Sequence, residues 1–177
     1  MKEVIEDIYK NKTLCAIYEE DLSKFAVGYL MQISDNEIIM QEISPYGEDD
    51  GLTLFLIENI RKIEIDNKYL AAIKLLSCDI EDYVIQRNRD LDLLSNVLEY
   101  SMKKEYIVSI ELSNEGYYDC IGIINHMNNQ TLKVDAIDEY GESEGSIFVN
   151  FSEITKMTIN SLDDRKRNKL YKLNINS

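Results

Sequence analysis

The sequence predicts a mainly β protein with helices, an α+β chain built as two five-stranded barrels in tandem, with helices at its start, middle and end. Three observations carry that prediction. First, residues 24–63 align with residues 118–157 at a constant offset of 94 without a gap. Gly28 falls on Gly122, Ile43 on Ile137, Tyr46-Gly47-Glu48 on Tyr140-Gly141-Glu142, Gly51 on Gly145, Ile60 on Ile154 and Lys62 on Lys156. Second, each copy reads as short runs of β-formers punctuated by turn residues. Third, each copy keeps a lone glycine inside its second strand, where the missing side chain is useful only if the strand bends sharply or another backbone comes close.

The opening segment, residues 2–11, carries Val4, Ile5, Ile8 and Tyr9 at helical spacing and predicts a short amphipathic helix. The period then changes to two. Residues 13–18 and 106–112 read as first strands, with polar turns at residues 20–23 and 113–116. Residues 24–33 and 117–124 are second strands, bent at Gly28 and Gly122. Asp35-Asn36 and Asn128-Asn129 suit tight hairpins because these residues tolerate positive φ. Third strands follow at residues 37–44 and 130–138, fourth strands at 52–57 and 146–151, and fifth strands at 60–65 and 154–159. Between the third and fourth strands, paired glycines bracket an acidic loop in both copies. Each copy ends in a helix, marked by Tyr69, Leu70, Ile73 and Leu76 in the first and by Leu162, Leu170 and Leu173 in the second. Between the copies, Ile80, Val84, Leu91, Leu94 and Leu98 share a helical face interrupted by Arg87, and Asp90 suits an N-cap. The expected organisation is a first barrel over residues 1–76, a helical connector over 77–104 and a second barrel over 105–177.

This order, a short helix and then five strands with a bent, glycine-containing second strand, resembles the Sm-like version of the small SH3-like barrel. The resemblance covers residues 1–66 and about 90–160. It implies the fold, and it implies RNA binding through loops at the ends of the third and fifth strands, often within a ring. The RNA-contacting pattern is missing. Asp35 is followed by Asn36, Glu37, Ile38 and Ile39 without the later asparagine, and Leu56-Ile57 and Asn150-Phe151 stand near where an arginine-glycine pair belongs. The resemblance therefore carries over the fold and none of those contacts.

Composition bounds the partners. A chain that is 45% hydrophobic and 29% charged folds rather than staying disordered. Its formal net charge of −14 makes a general nucleic-acid surface unexpected, since phosphates are met by basic side chains that release counterions. The same charge suits a basic protein partner or electrostatic imitation of nucleic acid. Acidic residues interrupt the apolar positions of residues 1–7, so neither a signal peptide nor a membrane anchor is expected there. Cys15, Cys78 and Cys120 are odd in number and widely spaced, which reads as reduced core thiols in a cytoplasmic protein.

No catalytic constellation stands out, and no cofactor or metal is expected. His126 is the only histidine, with Cys120 on the same hairpin but no further ligand cluster around them. Glu48-Asp49-Asp50 and Glu142-Ser143-Glu144 lack the ligand spacing of an EF-hand loop. One basic run, Arg165-Lys166-Arg167 with Lys169 and Lys172, would serve RNA phosphates or the chain's own carboxylates. The expectation is a non-catalytic interaction or scaffolding module, pseudo-dimeric within one chain. Its contacts would come from Tyr46, Glu48 and Asp50 and their counterparts Tyr140, Glu142 and Glu144. The alternatives are a divergent Sm-like RNA binder and an acidic inhibitor or immunity-type protein that covers a basic partner.

Overall fold

The computed structural model describes residues 1–77, 80–88, 91–112, 117–128 and 130–175. The chain divides into two compact units, Met1–Leu94 and Ser95–Ser177. In the first, helix α1 (Lys2–Asn11) precedes β1 (Cys15–Tyr18), β2 (Ala26–Ile33), β3 (Glu37–Ile43) and β4 (Asp49–Leu56). A 3-10 turn (Ile57–Asn59), β5 (Lys62–Ile65) and α2 (Lys68–Leu76) complete it. The second copy runs α3 (Leu93–Lys104), β6 (Ile107–Glu111), β7 (Cys120–Met127), β8 (Thr131–Ile137), β9 (Ser143–Asn150), a 3-10 turn (Phe151–Glu153), β10 (Lys156–Ile159) and α4 (Leu162–Asn174).

The described pairings are antiparallel, and the first strand of each copy sits between the second and the fifth. Strand order is β5-β1-β2-β3-β4 in one unit and β10-β6-β7-β8-β9 in the other. Cys15 pairs with Gly28 on one side and Ile65 on the other, as Val108 does with Gly122 and Ile159. Among the described residues no pairing joins β4 to β5 or β9 to β10, so the five strands of neither unit close on themselves. What is established is a mainly β, α+β fold; the closed barrels expected from the sequence are not.

The glycine bends are close approaches of backbone. A Cβ on Gly28 would lie 2.0 Å from the Gln41 carbonyl oxygen, and one on Gly122 would lie 2.1 Å from that of Asp135. Both second strands then shift register by one residue, between Leu30 and Gln32 and between Ile124 and His126. A bulge of this kind sharpens the local twist. The correspondence continues beyond the aligned sequence. Asp66 and Asn160, both at left-handed φ, lead into helices capped by the side chains of Asn67 and Ser161.

The hairpin between second and third strands of the first copy is held differently from the expectation: neither Asp35 nor Asn36 has positive φ, and the turn is tied by the preceding Ser34. Ser34 Oγ accepts from the amides of Asn36 and Glu37, and Asn128 Oδ1 accepts from those of Gln130 and Thr131. Asn129 and the turn at residues 113–116 lie outside the described residues.

In the first unit the core lies on both faces of β1, which explains why that strand reads as a continuous apolar run. Cys15 and Ile17 join Ile5 and Ile8 of α1 with Leu30, Ile38, Met40 and Phe55. On the other face, Leu14, Ala16 and Tyr18 meet Val27, Ile43, Leu70 and Ile73. Val4, Tyr9, Tyr69 and Leu76, assigned to buried helical faces by spacing, are exposed.

Among the described residues of the predicted helical connector, helix begins only at Leu93. Residues 80–88 form neither helix nor strand, and their burial alternates: Tyr83 and Ile85 are buried while Val84 between them is exposed. The segment is a strap tied to the outer face of the first sheet. Gln32 Nε2 donates to the Ile85 carbonyl at 2.9 Å, and Gln41 Nε2 donates to the Glu81 carbonyl at 2.7 Å. The Leu93 amide donates to Glu37 Oε2 at 3.0 Å, and burial holds the Glu37 carboxyl above its ordinary range. Side-chain amides and carboxylates of the sheet thus satisfy main-chain groups that a helix would have satisfied internally. Asp90 lies outside the described residues.

Candidate functional site

The twin turns between third and fourth strands are built by one scheme from different residues. In the first, Ser44 Oγ accepts from the amides of Tyr46 and Glu48, and the Ser44 amide donates to the Glu48 carbonyl. In the second, Asp138 Oδ1 takes the place of that hydroxyl, accepting from Tyr140 and Glu142 at 2.9 and 2.7 Å. Gly47 and Gly141 follow the tyrosines at φ of 82° and 78°. Each is pressed on the helix that ends its copy, so that a Cβ would stand 2.4 Å from backbone atoms of Leu76 or Tyr171. The Asn174 side chain adds donors to the Tyr140 and Gly141 carbonyls.

These constraints account for the glycines but not for the tyrosines. The Tyr46 side chain is 80% exposed and that of Tyr140 68% exposed. The Tyr140 hydroxyl titrates above its ordinary value, chiefly because of its hydrogen bond and proximity to Glu139. Exposed apolar residues of the terminal helices accompany the turns: Leu75 and Leu76 in the first copy, Leu173 and Ile175 in the second. Spacing alone missed them as surface groups. The available signal was that Leu75 falls off the stripe formed by Leu70 and Ile73.

The acidic residues part company. Glu48, Glu142 and Glu144 are exposed, whereas Asp50 is half-buried. Asp49 between them is buried and belongs to the strap. Its Oδ1 accepts from Tyr83 Oη at 2.9 Å and the Gly51 amide at 3.0 Å, while its Oδ2 accepts from Gln41 Nε2 at 2.6 Å and the Glu81 amide at 3.3 Å. Its counterpart at the offset of 94, Ser143, is exposed.

The thiols and the histidine occupy opposite settings, the described thiols buried and the imidazole exposed. Burial pushes the Cys15 thiol up to about 12 and the Cys120 thiol up to about 11, the latter helped by Asp119, so both are protonated near neutrality. Cys78 lies outside the described residues. His126 is exposed on β7 opposite Lys133. Among the described residues no group of three His, Cys, Asp or Glu side chains is placed to hold a metal ion. No helix there is long and apolar enough to cross a membrane. On α4, Arg165, Asn168, Lys169, Lys172 and Leu173 line an open depression of about 370 Å³. A second, of about 490 Å³, lies among Lys2, Asp35, Asn36, Leu56, Ile57 and Glu58. In comparisons with known proteins, no protein-family model, no curated protein and no solved structure matches the chain.

Proposed function

We propose that the chain is a non-catalytic interaction or scaffolding module made of two Sm/SH3-like barrels, and that it binds a protein partner through its twin tyrosine turns. The barrel reading draws support from the strand order, with the first strand between second and fifth, from the glycine-bent second strands and from the 3-10 turn before each fifth strand. The observation behind the function is the exposure of Tyr46 and Tyr140. Turn geometry asks for the glycine beside each and the oxygen two residues before it, yet a large amphipathic side chain recurs in solvent at both places. Tyrosine in such a setting offers contact area at low entropic cost. With Glu48 and Glu142 alongside and a net charge of −14, the complementary surface is basic.

Affinity capture from the cells that make the protein tests this reading. The native chain should retain a protein that the Tyr46→Ala, Tyr140→Ala double variant releases, and equal capture by both would overturn it. If the partner is a nucleic-acid-processing enzyme, as for an inhibitor or immunity-type protein, Glu48→Lys with Glu142→Lys should also weaken capture. The basic depression on α4 favours a second reading, RNA contact through Arg165, Lys169 and Lys172. Salt-sensitive retention of RNA on a filter, lost when these residues are neutralised, would favour it over the first.

A further inference from the structure

We propose that β9 is an acceptor edge to which an extended, basic segment of a partner protein adds as a further strand. The inference rests on the reading above that the partner is a basic protein, and it locates the main-chain part of the contact.

Among the described residues β9 pairs with β8 alone, from Thr131↔Asn150 to Ile137↔Ser143. Its other edge therefore presents a row of amides and carbonyls. The equivalent strand of the first copy, β4, is buried along nearly its whole length, whereas every residue of β9 except Val149 is exposed. Thr53 and Leu54 are 0% and 1% exposed; their counterparts Ile147 and Phe148 are 37% and 72% exposed. Adjacent positions in a strand point to opposite faces, so an added strand would find an apolar neighbour on each.

Natural edge strands are ordinarily blunted by proline, lysine, a bulge or short length. From Ser143 to Asn150 there is neither proline nor lysine, and the single charged residue is Glu144. The register shift in this pair lies at the entrance to β9, leaving Asn150 to Gly145 in regular pairing.

Charge identifies the occupant. Exposed Glu139, Glu142 and Glu144 stand before or at the start of the strand, and Glu153 stands beyond its end. Lys133 of β8 is opposite Phe148 and is paired with Asp135 at 3.6 Å. A second copy would bring the same glutamates and a further −14, so self-pairing is opposed, whereas a strand with lysine or arginine at alternate positions is drawn in.

The test uses the full chain and a decapeptide alternating lysine and valine. Hydrogen exchange should slow at residues 143–150 on adding this peptide. It should stay unchanged with the glutamate-valine peptide and with a lysine-valine peptide N-methylated at alternate residues. Phe148→Ala should weaken binding by about tenfold, as expected for losing an aromatic contact. Absence of protection at residues 143–150, or equal protection by the glutamate peptide, would overturn the proposal. So would a concentration-dependent dimer, seen by sedimentation of the chain alone and abolished by Phe148→Ala, which assigns the edge to a second copy. Cellular capture separates this inference from the tyrosine reading. Loss of capture in the double tyrosine variant with retention in Phe148→Ala rejects the edge alone, and the opposite pattern rejects the turns alone.

Discussion

Replacing Asp49 by alanine should uncouple the strap from the first sheet. The carboxylate accepts four described hydrogen bonds, two from side chains, Gln41 and Tyr83, and two from the amides of Gly51 and Glu81. Gln41 and Tyr83 are both buried, so without this acceptor their donors lose a partner where water is scarce. Each such loss costs about 1–3 kcal/mol. Gln41 keeps its bond to the Glu81 carbonyl, which places the total near the middle of the range, about 3–4 kcal/mol. At a typical urea dependence this moves the unfolding midpoint of the first unit by about 1–2 M. Asp49→Asn retains one oxygen and turns an amide toward donors, so about 2 kcal/mol is expected. The control is Ser143→Ala at the equivalent exposed position, where the change should stay within about 0.5 kcal/mol. Urea unfolding followed by circular dichroism supplies the midpoints, and hydrogen exchange at residues 80–88 reports whether the strap itself is released. A midpoint shift for Asp49→Ala no larger than for Ser143→Ala, with unchanged exchange in the strap, would refute the reasoning.

Three further outcomes are expected. Gly47→Ala and Gly141→Ala combine left-handed φ with a Cβ 2.4 Å from helix backbone and should each cost about 2–4 kcal/mol, whereas Gly145→Ala, with nothing within 4 Å, should cost only the φ strain of about 1–2 kcal/mol; thermal melts rank them. Alkylation of the native protein at pH 8, mapped by mass spectrometry, should leave Cys15 and Cys120 unmodified until the fold is opened by denaturant, because both are buried with raised thiol values. Burial raises the carboxyl of Asp164, so the folded chain keeps that proton to a higher pH than the unfolded one, and the group's contribution to stability falls as pH rises from about 4 through its raised value. Asp164→Asn leaves one oxygen to serve the Ser109 hydroxyl and the Ser161 amide, lowering stability at every pH, but its urea midpoint should decline less between pH 4 and 7 than that of the native chain.

The elements most legible in the sequence are those where backbone geometry selects a residue type. Gly28 and Gly122 stand where a carbonyl lies about 2 Å from any Cβ, and Gly47 and Gly141 stand where φ is positive against a helix, so their recurrence at one offset located the bends and turns. The opening helix was legible because Ile5 and Ile8 recur at helical spacing. The strap was not. Ile80 and Val84 happen to share helical spacing with residues further along, but the structure buries Tyr83 and Ile85, a period of two set by hydrogen bonds to Gln32, Gln41 and Asp49. Nothing local announces such distant partners. Of the candidate site, the tyrosines and exposed glutamates were readable from the repeat. The burial of Asp49 within an acidic triplet was not, since neighbouring carboxylates look alike until tertiary contacts separate them.

The strap also decides how far along the chain the first copy extends. Counting helices and strands would end that copy with α2 at Leu76. A fragment cut there would lack the buried Tyr83 and Ile85 and the ties to Gln32, Gln41, Asp49 and Glu37. The first compact unit accordingly extends past α2 to Leu94 and takes in the strap. In the second copy, Lys133, Ser146 and Phe148 occupy the positions of the buried Ile39, Leu52 and Leu54, and the first two are hydrophilic enough to face water. Of two similar frameworks, a short stretch of intervening chain covers part of one, while the fourth strand of the other stays exposed.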